Sequence, residues 1–255
     1  MQRSVGIDVG GTFTDLVSVG DDGRVEARKL LTTVGDQSEG VLDALDALGA
    51  EPASVTRIVH GTSVAAVIGA VGNNGVGTAG IGWNVEILPV VVGTSSGASP
   101  ADVTAGINYI IALKKEGVNI AAINASYISF TGPSLDEINA ISNAGKAGML
   151  YVAAAGNSSM NLDQIYPSSF IPSNMIFVAA TDQNDQLASF SNYGSKTVAV
   201  GAPGVGIETL LPGGIYASLD GTSYAAPMVS LIAALLKSYD PSATVAEMKA
   251  AILNS

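Results

Sequence analysis

Short apolar runs alternate with stretches of helical period along most of this chain, and that alternation constrains the fold more than any other feature. The runs VEILPVVV (85–92), NIAAINAS (119–126), MLYVAAAG (149–156), NMIFVAAT (174–181) and TVAVGAPG (197–204) read as strands, and VTRIVHG (55–61) as another. Between and after them, residues 64–72, 101–116, 135–147, 223–239 and 245–253 read as helices. Strands that are apolar throughout are buried on both faces. The expected fold is therefore a three-layer α/β domain with a mostly parallel sheet and helices on both sides. The beginning of the chain differs. Residues 4–10 and 14–20 read as two strands about Gly10-Gly11, and Asp21-Asp22-Gly23 as a hairpin turn before 25–33. A helix over 38–48 follows, with Val41, Leu42, Leu45 and Leu48 on one face.

With 255 residues, 47% hydrophobic and 13% charged, the chain can bury a sizeable core. The net charge of −11 argues against a nucleic-acid partner, because no basic surface is available to neutralise phosphates. The absence of cysteine excludes disulfides, thiolate metal sites and a cysteine nucleophile. MQRSVGIDVGG lacks the long apolar stretch of a signal peptide, and no apolar run is long enough to span a bilayer, so no export signal is read in the chain and no membrane partner is expected.

Three separated segments carry chemistry. His60, the only histidine, ends an apolar strand and is followed by Gly61-Thr62, which places it at the carboxyl edge of a sheet, where α/β proteins put their sites. Gly221-Thr222-Ser223-Tyr224-Ala225-Ala226-Pro227 opens a long apolar helix, with Pro227 expected in its first turn. Two readings of Ser223 remain open on local spacing: an N-cap, or a nucleophile supported by the helix N-terminus. Ala153-Ala154-Ala155-Gly156-Asn157 is an apolar strand ending in a residue that suits either a turn or a side-chain donor to a developing oxyanion.

Together these segments resemble the subtilase family of serine proteases. HGTSVAAVIGAVGNNGVGTAGIGWN is similar to that family's histidine segment, VAAAGN to its oxyanion segment and GTSYAAP to its nucleophile segment; residues 166–204 also match it almost throughout. The resemblance covers about 60–255. It implies Ser223 as nucleophile, His60 as general base and then acid, and Asn157 with the Ser223 amide as the oxyanion hole. It further implies Ser126, Tyr127, Ala154, Ala155 and Gly156 as substrate-binding residues and a peptide or protein as substrate. A monomer that requires no cofactor is expected. The proteases it resembles are mostly secreted, and the sequence itself assigns no compartment.

The acid of the triad is the weak part of the match. The family's order is Asp, His, Ser, and Val5-Gly6-Ile7-Asp8-Val9-Gly10 is the close counterpart of the family's aspartate strand, making Asp8 the candidate and Asp15 and Asp36 the alternatives. Asp8 stands 60 − 8 = 52 positions before His60. Residues 1–66, through VGIDVGGTFTDLVSV, KLLTT, EGVLDALDAL and IVHGTSVA, resemble the N-terminal segment of the hydantoinase A/5-oxoprolinase family better. The chain thus reads as a chimera: 1–59 a borrowed segment packed into the same domain, 60–255 the subtilisin-like core. Ile128 stands where subtilases usually have glycine, and Met228 where they often have histidine.

Two further patterns were weighed. Gly93-Thr94-Ser95-Ser96-Gly97 fits a nucleophile elbow, but the α/β-hydrolase order needs a histidine after the serine. Gly75-Val76-Gly77-Thr78-Ala79-Gly80 fits a dinucleotide loop, but strand rather than helix is expected after it. By resemblance GNNGVGT is instead the family's calcium loop, with Asn74 as the side-chain ligand of a structural calcium.

Overall fold

The computed structural model describes residues 3–9, 13–20, 25–31, 57–58, 61–92, 98–127, 129, 132, 134–166, 170–211 and 215–255, with side chains from residue 61 onward. The helix expected over 38–48, the elbow pattern at 93–97, Ile128, Asp36 and His60 lie outside these residues.

Six strands form a parallel sheet: β4 (Arg57–Ile58), β5 (Ile87–Leu88), β6 (Ala122–Ala125), β7 (Leu150–Ala154), β8 (Met175–Thr181) and β9 (Val198–Pro203), in the order β5-β4-β6-β7-β8-β9. Both faces are covered, as the uniformly apolar runs require. On one side Met149, Tyr151 and Phe177 pack with α2 (Pro100–Lys115) and α3 (Leu135–Lys146). On the other, Leu150, Val152, Ile176 and Val178 pack with α4 (Thr222–Tyr239) and α5 (Val245–Leu253). Successive residues of β7 alternate between the two cores, the two-residue period of a strand buried on both sides. The remaining helix, α1 (Thr62–Gly69), packs through Val64 and Ile68.

The helix starts follow local chemistry. Ser99 caps α2 by accepting from the Asp102 amide at 3.1 Å, with Pro100 as the first helical residue and Lys114 and Lys115 in the last turn. Ser134 caps α3 through the Glu137 amide, and Thr244 and Glu247 form a reciprocal capping box on α5. The α4 start departs from expectation. Its N-cap is Gly221, which has no side chain to cap with, and Ser223 is the second helical residue rather than the cap. Pro227, expected in the first turn, is the sixth residue counting from Thr222 and lies inside the helix.

Two other elements differ from the sequence reading. The run 85–92 pairs only over Ile87–Leu88: Pro89, which cannot donate to a ladder, ends this edge strand. An antiparallel pair, β10 (Ile207–Leu211) and β11 (Ile215–Leu219), was not anticipated, although Pro212-Gly213-Gly214 is turn chemistry. The Thr209 hydroxyl ties this pair to α1 by donating to the Ser63 carbonyl at 2.6 Å.

The first strands make a separate sheet. β1 (Arg3–Val9), β2 (Phe13–Gly20) and β3 (Val25–Leu31) form an antiparallel meander in the order β1-β2-β3, with Asp8 directly opposite Asp15 in register. The strand pair expected at the start of the chain is present, and β1, which carries Asp8, pairs with β2 and not with any described strand of the parallel sheet. The central position beside β6 is held by β4, the strand that precedes His60 in the chain.

Candidate active site

Because β4, β6 and β7 are parallel, their carboxyl ends share one edge. Ser126 follows β6 directly, and Ala155-Gly156-Asn157 follows β7. The α4 helix packs across β6, β7 and β8, and its first turn arrives at the same edge. Topology thus gathers Ser126, Asn157 and Ser223 from positions far apart in sequence.

Asn157 shapes the turn. Its Oδ1 accepts from the Thr222 amide at 2.9 Å and the Thr222 hydroxyl at 2.8 Å, so it supplies the capping oxygen that Gly221 lacks. The amide orientation follows from these partners: a backbone N–H can only donate, so the atom facing it is the carbonyl oxygen. Asn157 Nδ2 is thereby turned outward as a donor. It lies beside Gly221, where an added Cβ would stand 3.3 Å from it. The Ser223 amide is among the opening amides of α4 that have no acceptor within the helix. Asn157 Nδ2 and the Ser223 amide thus stand as donors at the start of α4, the positive end of its helix dipole. Ser223 is half-buried, and its hydroxyl donates to the Ser126 carbonyl at 3.2 Å.

The stretch before Asn157 is fully engaged. The Ala155 amide donates to the Val178 carbonyl at 2.9 Å and the Gly156 amide to Thr222 Oγ1 at 3.0 Å. Asn192 closes the other side, its Nδ2 donating to the Ala155 carbonyl and its amide to the Gly156 carbonyl. Gly156 has a φ of 97°, a left-handed conformation that glycine adopts at least cost. Ala154, Ala155 and Gly156 thus present shape to a ligand, with the amides of Ala155 and Gly156 already committed.

Tyr127 is anchored from below. It hydrogen-bonds to Glu137, and its hydroxyl lies 2.5 Å from that of Tyr151. Burial pushes the phenols of Tyr127 and Tyr151 well above their usual range and raises Tyr166 to about 12; burial likewise raises the Glu137 carboxyl. Tyr127 also lines a small apolar hollow of about 30 Å³ with Val90, Val103 and Ile107.

Of the residues singled out from sequence, Ser126, Tyr127, Ala154, Ala155, Gly156, Asn157 and Ser223 share this edge. His60 falls between β4 and α1 in the chain but lies outside the described residues, and for Asp8 only the backbone is described. Asn74 stands apart, in a turn where its Oδ1 accepts from the Val76 amide at 3.0 Å. Among the described residues no cluster of three acidic or histidine side chains gathers to hold a metal. No helix starts at Gly75–Gly80 either: after α1 the next one begins at Pro100. Sequence reasoning missed Thr222 and Asn192, whose partners are remote in the chain and leave no local signal. Among the described residues no helix is long and apolar enough to cross a membrane.

Known proteins agree with this geometry. The family model described as "Subtilase family" matches residues 16–255. The chain is 38% identical over 193 residues to an alkaline protease of Alkalihalobacillus alcalophilus, covering 75% of this chain but only 48% of that relative. It is 40% identical over 196 residues to thermitase of Thermoactinomyces vulgaris, covering 77% and 66% of the two chains. The chain thus spans about half to two thirds of these relatives' length. Among solved structures, a cold-adapted subtilisin-like serine proteinase superposes with a TM-score of 0.63 at 29% identity, covering 74% of this chain and 64% of that one. The match from residue 16 takes in most of the N-terminal segment that reads from sequence as borrowed from another family. On fold, site geometry and sequence together, this chain belongs to the subtilase family.

Proposed function

We propose that the chain acts as a serine endopeptidase, hydrolysing peptide bonds through an acyl-enzyme. What supports this reading is the Asn157 side chain, whose Oδ1 is held by Thr222 so that Nδ2 is left as a donor beside Gly221, two residues before Ser223. In this mechanism Ser223 Oγ attacks the peptide carbonyl and His60 takes its proton. The resulting oxyanion is held by Asn157 Nδ2 and the Ser223 amide. His60 then protonates the leaving amine, and water, deprotonated in turn by His60, releases the acyl group. Asp8 is the assigned acid that orients His60. The names of the relatives, an alkaline protease and thermitase, support peptide or protein chains as the substrate class.

One observation favours a second reading, a subtilase-like domain without turnover: the strand carrying Asp8 belongs to the antiparallel meander. That meander also supports the resemblance of 1–66 to the hydantoinase A/5-oxoprolinase segment, against which stands the family match from residue 16. A nucleotide-binding role for that segment predicts thermal stabilisation by nucleotide, and a flat titration removes it.

Hydrolysis of a chromogenic peptide by wild type, Ser223→Ala and Asp8→Asn separates these readings. An active triad through Asp8 predicts that D8N lowers kcat by about 10⁴. Wild-type turnover with D8N equal to it removes Asp8 from the triad, and wild-type turnover no greater than that of S223A supports the inactive domain.

A further inference from the structure

A chain of buried polar side chains runs from the interior of α4 to the nucleophile turn, and the endopeptidase reading does not use it. Ser230 is fully buried and its hydroxyl lies 3.0 Å from Asn124 Oδ1. Asn124 is also buried, and its Nδ2 donates to Ser126 Oγ at 2.9 Å. Ser126 Oγ in turn donates to the Ser223 carbonyl at 2.9 Å, while Ser223 Oγ donates back to the Ser126 carbonyl.

The direction of this chain follows from proton counting. Ser230 has one hydroxyl proton and two acceptors in reach, Asn124 Oδ1 and the Ala226 carbonyl at 2.9 Å. With the Asn124 amide reversed, Ser230 would donate to Ala226, and Ser126 would donate to Asn124 instead of Ser223. Both arrangements contain three hydrogen bonds. They differ in which carbonyl is left without a donor. Ala226 lies in the helix interior, where the Ser230 amide already serves its carbonyl. The Ser223 carbonyl would take its helical bond from residue 227, which is Pro227 and has no N–H. Only the arrangement ending on Ser223 satisfies it, and a buried carbonyl without a donor is unfavourable.

We propose that Asn124 and Ser230 are positioning residues for Ser223: they fix the Ser126 hydroxyl as the donor to the carbonyl that Pro227 leaves open, and so hold the nucleophile turn against the end of β6. This rests on the reading of Ser223 as nucleophile, and the test separates the two. Labelling by a fluorophosphonate reports the nucleophile. The ¹³C resonance of the Ser223 carbonyl reports the hydrogen bond whether or not the protein turns over. Serine carbonyl and tyrosine amide labelling marks only three Ser–Tyr pairs, at 126–127, 223–224 and 238–239, and S223A identifies the relevant one.

The expected result is that S126A and S230A each shift the Ser223 carbonyl resonance and slow labelling by about three- to tenfold, the scale of one neutral hydrogen bond. Pro227→Ala restores a helical N–H to that carbonyl. In the P227A background the effect of S126A on both readouts should shrink, a coupling that a merely structural role would not produce. An unshifted resonance in S126A and S230A, or effects that add without coupling to P227A, overturns the positioning role. Wild type that labels no faster than S223A removes the nucleophile reading, and the carbonyl shift and its coupling to P227A still decide the positioning role.

Discussion

Asn157 does two jobs with one amide. Its oxygen caps a helix 65 residues away, and that bond leaves its nitrogen as a donor beside Gly221, where the proposed mechanism needs one. Asn157→Asp keeps the acceptor for Thr222 and replaces the donor with an anion. It should lower kcat by at least the about 10²–10³ that follows loss of one such donor in a subtilisin, with an unchanged thermal midpoint. Loss of folding along with activity would contradict this, showing that the substitution acts on the fold and not on the donor alone. The sequence exposed Asn157 through its strand-end position, and Ser223 through its helix. It could not expose Thr222, because the hydroxyl joins Gly156 to Asn157 through contacts that exist only once β7 and α4 meet. Ser223 read equally well as an N-cap, since a helix start looks the same in sequence whether its capping oxygen is its own or a distant neighbour's.

At the scale of elements, buried strands and capped helices were legible because their signals are local. Ser99, Ser134 and Thr244 stand at the starts of their helices, and β7 and β8 are apolar up to the closing Thr181 of β8. The meander's separation from the main sheet was not legible, since strand pairing depends on partners and not on the run itself. Two carboxylates give opposite pH signatures. Glu137, at the start of α3, is buried and its pKa is raised, so it favours the folded state while protonated and loses that advantage as pH rises through the raised value. Glu137→Gln should therefore raise the melting temperature at neutral pH and change little below about pH 4.5, read by thermal melts across pH. Asp163 accepts from the amides of Ser195, Lys196 and Thr197 and from the hydroxyls of Ser195 and Thr197. These bonds, the Thr197 hydroxyl foremost, lower its pKa; its contribution is present above 3.8 and fades as pH falls through the depressed value. Asp163→Asn should lower the melting temperature at neutral pH, with the gap to wild type closing in acid.

Across the whole molecule, the parallel sheet delivers the ends of β6 and β7 to one edge, and α4 returns Ser223 to that edge. The family match takes in this core together with β3 and most of β2, and the meander shares no described strand with the parallel sheet. The central claim is that Ser223 is an activated nucleophile. The most direct measurement is the rate at which a fluorophosphonate labels the protein, with the modified residue located by peptide mass spectrometry. The account predicts a single adduct on Ser223, formed much faster than any labelling of Ser223→Ala and slowed by His60→Ala. Labelling no faster than in S223A, or an adduct on another serine, would contradict it.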